Sequence, residues 1–189
     1  MSEYAAFFAR WRVRLGYPLA VAVLLLARPT PQSLAVGALV GIAGLWLRAY
    51  AAGYLRKKEQ LTVTGPYACT RNPLYLGSAI LAAGAAVATR SLFSAAILLI
   101  YFAVVYSIVM RREEGELRHF HGAAFDAYAK AVPLFFPRLM PARLGPAAAP
   151  AESGSFSFVQ YKKNHEWQAA VGFLLLLAFL LLLWRLRLH

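Results

Sequence analysis

Long apolar runs separated by short polar turns set the pattern of this chain. The first run, Leu15–Ala27, follows Arg10, Arg12 and Arg14 and ends at Arg28-Pro29-Thr30-Pro31, which reads as a tight turn. Basic residues before a short apolar run also suit a signal peptide. No small-x-small cleavage site follows, so a retained first span is expected, with Tyr4–Trp11 as an interfacial extension. Ser33 is expected to cap a second helix that runs to about Leu55, long enough to cross a hydrocarbon core of about 30 Å. Gly37 and Gly41 lie on one face of it, with Gly44 close by, a spacing that lets helix backbones approach.

Asn72 as cap and Pro73 at the first helical position predict a third helix, which runs to about Thr89. The turn Thr89-Arg90-Ser91 is so short that the third helix and a fourth, Leu92–Met110, must form an antiparallel hairpin. From Arg111 to Val132 charges alternate with Leu117, Phe120, Ala124 and Tyr128 at spacings of three or four residues. That pattern predicts an amphipathic helix at the membrane interface, ended by Pro133. Residues 139–155, rich in Pro, Ala and Gly, read as a linker. Gln168–Trp184 is a last apolar run that can span or, alternatively, lie re-entrant or interfacial. The expected fold is all-α: a polytopic integral membrane helical bundle of 4–5 transmembrane helices with a cytoplasmic amphipathic helix.

Composition agrees with this pattern. The chain is 60% hydrophobic and 15% charged, against about 45–50% and about 25% in soluble domains. Its net charge of +12 fits the positive-inside rule and attraction to anionic lipid better than nucleic-acid binding, because the basic residues lie between the spans. Arg56-Lys57-Lys58, Arg71, Arg111-Arg112 and Lys162-Lys163 fall on one side with the N-terminal arginines, while the opposite loops carry only Arg28 and Arg90. The first side is therefore expected to be cytoplasmic, in an inner membrane protein whose site faces the cytoplasm. Cys69 is the single cysteine, which excludes an internal disulfide. His119, His121, His165 and His189 show no zinc-binding spacing, so no metal is expected.

The candidate chemistry lies in two segments that this topology brings to the same face. Gly65–Gly77 is polar and turn-rich between two spans, and polar groups at that depth need a reason to be there. Its Gly65-Pro66 turn aims Tyr67 and Arg71 back toward the start of the third helix, whose free N–H groups can hold a carboxylate or phosphate. Glu113 and Glu114 supply acceptors for an ammonium group, ribose hydroxyls or a cationic sulfur. Tyr67, Tyr75, Tyr128 and Phe136 can stack an adenine or face a cation. Plainer readings exist for each: Asn72-Pro73 as a helix start, Arg71 as a headgroup anchor, Glu113-Glu114 as a solvated face paired with Arg111 or Arg118. Arg48, near the end of the second span, reads as a snorkelling side chain or as a guide for an anionic substrate group. Cys69 reads as a packing residue. Yet three of the chain's eight acidic residues fall within 113–116, more clustering than a basic rim requires.

Gly65-Pro66-Tyr67, Thr70-Arg71-Asn72-Pro73-Leu74-Tyr75-Leu76-Gly77, Arg112-Glu113-Glu114-x-x-Leu117 and Phe120-x-Gly122-x-x-Phe125-x-x-Tyr128-x-x-x-Val132-Pro133-x-Phe135-x-Pro137 resemble the isoprenylcysteine carboxyl methyltransferase family. They are similar also to the wider group of membrane phospholipid methyltransferases. The resemblance implies S-adenosylmethionine bound at the cytoplasmic face by Tyr67, Arg71, Asn72, Pro73, Tyr75, Gly77, Glu113, Glu114 and Tyr128, with Tyr128–Pro137 closing over it. Asn72 stands where the family often has histidine, which leaves it a cap and donor role. The implied activity is methyl transfer to a lipidic or prenylated acceptor, either the carboxylate of an isoprenylcysteine-like compound or a phospholipid amine. Arg71 or Arg48 would position a carboxylate, and an amine would lose its proton to Glu113, Glu114 or water. The division implied is 1–32, a basic segment and first span; 33–138, a methyltransferase core of three spans plus the interfacial helix; 139–155, a linker; and 156–189, a C-terminal hydrophobic segment with a fifth span. The alternatives are a sterol-reductase-like membrane oxidoreductase using NADPH and a non-catalytic membrane scaffold.

Overall fold

The computed structural model of the chain describes residues 16–56, 60–145 and 154–187. The expectations for Tyr4–Trp11, the N-terminal arginines, Lys57-Lys58 and residues 146–153 of the linker fall outside them. The helices are α1 (Gly16–Leu26), α2 (Pro31–Tyr54), α3 (Pro73–Thr89), α4 (Leu92–Tyr101), α5 (Ser107–Ala131), α6 (Phe158–Lys163) and α7 (Trp167–Leu186). Gly65–Ala68 forms a 3-10 turn and Phe102–Tyr106 a π-helical one. Among the described residues Pro31–Tyr54, Leu92–His121 and Trp167–Leu186 are long and apolar enough to cross a membrane; Gly16–Leu26 and Pro73–Thr89 are shorter apolar helices. Large apolar side chains such as Leu39, Leu92, Leu99 and Leu175 stand exposed along them, as befits a bundle whose solvent is hydrocarbon. The protein is an all-helical membrane bundle.

Two helix boundaries differ from expectation. α2 begins at Pro31, two residues before Ser33, because Thr30 is the cap. The Thr30 hydroxyl accepts from the Ser33 N–H at 3.2 Å and the Ser33 hydroxyl accepts from the Thr30 N–H at 2.9 Å. This reciprocal box satisfies two donors that a helix end leaves open, and Pro31 has no N–H to lose. The fourth helix does not stop at Met110. It passes through the π turn, where Phe102 and Tyr106 stack at 4.4 Å, and continues as α5 to Ala131. The rise in charge after Met110 changes what the helix faces but breaks no backbone hydrogen bond. Only Gly122, at φ 49° and ψ −123°, interrupts it, a conformation open to glycine because it lacks a Cβ. The segment expected as one interfacial helix is thus the end of α4–α5 plus the piece after Gly122.

The chain divides into two compact units. The first comprises the described residues of 1–44, 79–112 and 169–189. In it α2 and α3 cross at their glycines. A Cβ on Gly84 would fall 2.6 Å from the Gly41 nitrogen and 2.7 Å from the Gly37 carbonyl oxygen, so these backbones are in contact. The Phe173 ring covers Gly41, and Ala27, Ala88 and Leu180 are fully buried together. Polar ties close the helix ends: Arg28 N–H to the Thr89 carbonyl at 2.8 Å and the Ser33 hydroxyl to the Ala88 carbonyl at 3.1 Å.

The second unit comprises 45–78 and 113–168. Its core is Val63, Phe125, Tyr128 and Val132. Gly65, at φ +59°, lies so close to the Tyr54 ring that a Cβ would fall 2.6 Å from it. Glycine there lets the connector fold back under α2 and deliver the next residues to α3.

Candidate active site

Within the second unit the connector and the segment after α5 are bound together by their backbones. Arg71 N–H donates to the Pro133 carbonyl at 2.9 Å, Arg138 N–H to Cys69 at 3.0 Å, and Ala142 N–H to Ala68 at 2.9 Å. The buried Thr70 hydroxyl donates to the Phe135 carbonyl at 2.9 Å, and the Asn72 amide donates to the Leu134 carbonyl at 3.0 Å. The Tyr128 hydroxyl donates to the Tyr67 carbonyl at 2.7 Å. Proline at 133 frees the chain from the helix, so that its carbonyls can accept from the connector.

The acidic pair meets the same connector. Tyr75 donates its phenolic hydrogen to Glu113 Oε1 at 2.6 Å. Arg71 Nε lies 2.9 Å from Glu114 Oε1, with side chains only 15% and 18% exposed. The N–H does not point along that line, so the contact is an ion pair rather than an aligned hydrogen bond. Arg71 also donates to the Ala129 carbonyl at 3.3 Å. Glu113 and Glu114 therefore engage Tyr75 and Arg71 rather than forming the solvated face expected as a plain alternative. Arg118, the partner that alternative named, pairs at 2.8 Å with Asp126 on an exposed surface.

Pro73 opens α3 and is fully buried, and Gly77 is buried one turn later. Neither offers a polar side chain; they shape the start of the helix. Phe136 stands 80% exposed and packs edge-on against Phe135, so it is not gathered with Tyr67, Tyr75 and Tyr128. Cys69 carries a free thiol and is half-buried.

Arg48 is held by protein groups. Its Nε and Nη2 donate to Glu166 Oε2 at 3.0 and 2.7 Å, and its Nη1 donates to the Leu74 carbonyl at 3.4 Å and to the Ser78 hydroxyl. Glu166 was not singled out from the sequence. It stands beside His165 and Trp167, far from either motif, and only its isolation as an acid before an apolar helix could have drawn notice.

The most unusual group is the Tyr67 phenol. The residue is 6% exposed, and its hydroxyl has no hydrogen-bond partner among the described residues. Burial pushes its pKa well above 10.0, and nearby Tyr128, Glu166, Glu113 and Tyr75 add to the rise. Tyr128 is raised mainly by burial as well, with Arg71 opposing and Glu114 assisting. Both phenols thus keep their protons across the physiological range. Near them, the Arg48–Glu166 and Arg71–Glu114 ion pairs and the Tyr75-bonded Glu113 together carry one negative charge. Among the described residues no group of three His, Cys, Asp or Glu forms a metal-binding cluster.

A family model for phospholipid methyltransferases matches residues 19–124. The nickel-cobalt-cadmium resistance protein NccN of Alcaligenes xylosoxydans xylosoxydans is 41% identical over 99 residues, covering 52% of this chain and 45% of that protein. The cobalt-zinc-cadmium resistance protein CzcN of Cupriavidus metallidurans is 36% identical over 104 residues, covering 53% and 45%. The chain spans about half the length of these curated relatives. No solved structure matches it. The family match covers more than half the chain and takes in Gly65–Gly77 as well as Glu113-Glu114, so the chain belongs to the phospholipid methyltransferase family.

Proposed function

We propose that the protein is an S-adenosylmethionine-dependent methyltransferase acting on a lipidic acceptor at the cytoplasmic face of the inner membrane. One observation carries this reading: a buried phenol with no hydrogen-bond partner among the described residues lies near Glu113 and Glu166, which are joined to Tyr75 and Arg48. An orphaned buried donor is costly unless a ligand completes it. The Arg48–Glu166 and Arg71–Glu114 pairs with Glu113 together carry one negative charge, which suits a cationic sulfonium, so the residues fit the donor. When bound, S-adenosylmethionine would supply a methyl group on cationic sulfur for in-line displacement by the acceptor, with neutral S-adenosylhomocysteine leaving; an anionic carboxylate would be neutralised in the transfer, whereas a neutral amine would take up the positive charge.

The chain's own residues have the remaining tasks. Tyr67 donates its phenolic hydrogen to a lone pair on the donor. Glu113, oriented by Tyr75, and Glu114, oriented by Arg71, accept from ammonium or hydroxyl groups. Asn72, Pro73 and Gly77 shape the start of α3 beside them, and Tyr128 ties Tyr67 to the segment ending at Pro137. Excluding water and aligning the reactants supply most of the rate for such a transfer. An acceptor amine loses its proton to Glu113, Glu114 or water, whereas an isoprenylcysteine-like carboxylate needs none removed and is steered by Arg71. The cytoplasmic orientation rests on the one-sided distribution of Arg and Lys. From the relatives' names we take only a setting, resistance to nickel, cobalt, zinc and cadmium, in which methylation would modify the membrane itself.

Titration calorimetry on the purified protein with S-adenosylmethionine, S-adenosylhomocysteine and NADPH tests the reading. Binding of the first two supports it. Binding of NADPH alone favours the sterol-reductase-like oxidoreductase, and binding of none favours the scaffold. Incubating membranes with a radiolabelled methyl donor and identifying the labelled lipid then names the acceptor.

A further inference from the structure

The family match ends at residue 124, yet a segment well beyond it is built into the same unit as the motifs. Residues 154–166 are pinned along the end of α2. The Thr64 hydroxyl donates to the Gly154 carbonyl at 3.0 Å, and Ser157 N–H donates to the Gly53 carbonyl at 2.9 Å. Phe156 packs over Gly53, where a Cβ would collide with its ring. The Asn164 amide donates to the carbonyls of Ala52 and Leu55, at 2.8 and 3.0 Å, and so closes the C-terminus of α2. His165, at φ 56°, then turns the chain, and Glu166 meets Arg48.

That pair is 20% and 11% exposed. A largely buried ion pair is a weak source of stability, because desolvating two charges offsets most of their attraction. All three Arg48 nitrogens are nonetheless engaged, and the neighbouring Tyr67 phenol is left unmatched. Tethering the segment required only the backbone contacts and Asn164. The charge at Glu166 therefore calls for a reason other than anchorage.

We propose that Glu166 is a positioning residue of the methyl-donor site: it fixes Arg48 in place and cancels its charge, so that the carboxylates near Tyr67 are left to favour a sulfonium. The inference rests on the methyltransferase reading above and extends the site to a segment outside the family match. Glu166 does not touch the reacting atoms in this role. It acts on whatever lies beside Tyr67 through Arg48 and through its own field.

A charge effect and a packing effect separate cleanly if two ligands of nearly equal shape are compared. S-adenosylmethionine carries the sulfonium, whereas S-adenosylhomocysteine carries a neutral thioether. Equilibrium binding of both to the full chain in lipid nanodiscs, at fixed ionic strength, gives a discrimination ratio for each variant. Glu166→Gln leaves Arg48 uncompensated and should lower the preference for the sulfonium by roughly tenfold. Arg48→Gln should raise it, and the double variant should return the ratio close to that of wild type. Each single variant predicts a sign, so Arg48→Gln and the double variant decide the matter if Glu166→Gln does not fold. Equal weakening of both ligands, or a shift of the same sign in both single variants, overturns the proposal while leaving the methyltransferase reading intact. Failure of the wild-type protein to bind either ligand overturns that reading, and this inference with it.

Discussion

Replacing Tyr67 with phenylalanine should make the empty protein more stable and the ligand-bound protein less so. The ring is buried at 6% exposure and its hydroxyl is unpaired among the described residues. Removing an unsatisfied buried hydroxyl relieves about 1–3 kcal/mol. Phenylalanine fits the same volume, and Tyr128 still bonds the residue-67 carbonyl, which the substitution leaves untouched. For a chain of this size each kcal/mol moves the midpoint by about 2–4 °C, so the unliganded variant should melt about 2–12 °C higher. The donor then loses one hydrogen bond of about 1 kcal/mol, so its affinity falls roughly three- to tenfold. Thermal unfolding at one scan rate, with and without S-adenosylmethionine, reads both quantities from a single sample. A lower midpoint with unchanged affinity would refute the reasoning, since it would mean that the phenol already has a partner within the protein.

Three further outcomes follow from the same geometry. The folded-state pKa of Tyr67 lies above its ordinary 10.0, so its contribution is fully present below that pH and is lost as pH rises through the raised value; alkaline melting curves should therefore fall less steeply for Tyr67→Phe than for wild type. Arg71→Ala and Glu114→Ala should each weaken donor binding and, because the pair is mostly buried, each also cost about 1–3 kcal/mol by stranding its partner; the double variant should cost less than the two singles summed, and strict additivity in a double-mutant cycle would count against a direct pair. Gly84→Ala inserts a methyl group against the backbone of Gly37 and Gly41 and should destabilise by about 1–3 kcal/mol, with a lowered unfolding midpoint in the same membrane mimetic and no change in wild-type-like stability for an exposed control such as Leu99→Ala.

Much of the site could be read in advance because its members are held by local rules. Asn72-Pro73 opens α3 where expected, and Arg71 and Tyr75 flank that start in the chain itself. The pairing of those two with Glu114 and Glu113 was anticipated only as a meeting of segments; which acid meets which partner depends on how α3 and α5 are rotated. The cap of α2 lies three residues before the expected one because either hydroxyl of the Thr30–Ser33 box is a competent cap, and Pro31 decides between them. The passage of the fourth helix beyond Met110 was missed for a related reason: a change from apolar to charged residues alters the surroundings of a helix without ending it, and only Gly122 supplies a backbone that does.

What the sequence determined by itself was the apolar runs that become helices, their membrane character and the family motifs. Runs of apolar residues in hydrocarbon must satisfy their backbone within the helix, so run length and the Pro, Asn and Gly between runs are sufficient to draw them. Only the tertiary structure brought Glu166 to Arg48, 118 positions away, and left the Tyr67 phenol without a partner among the described residues. Those facts depend on which side chains share a low-dielectric interior, and that is set by packing between segments, which no local pattern records.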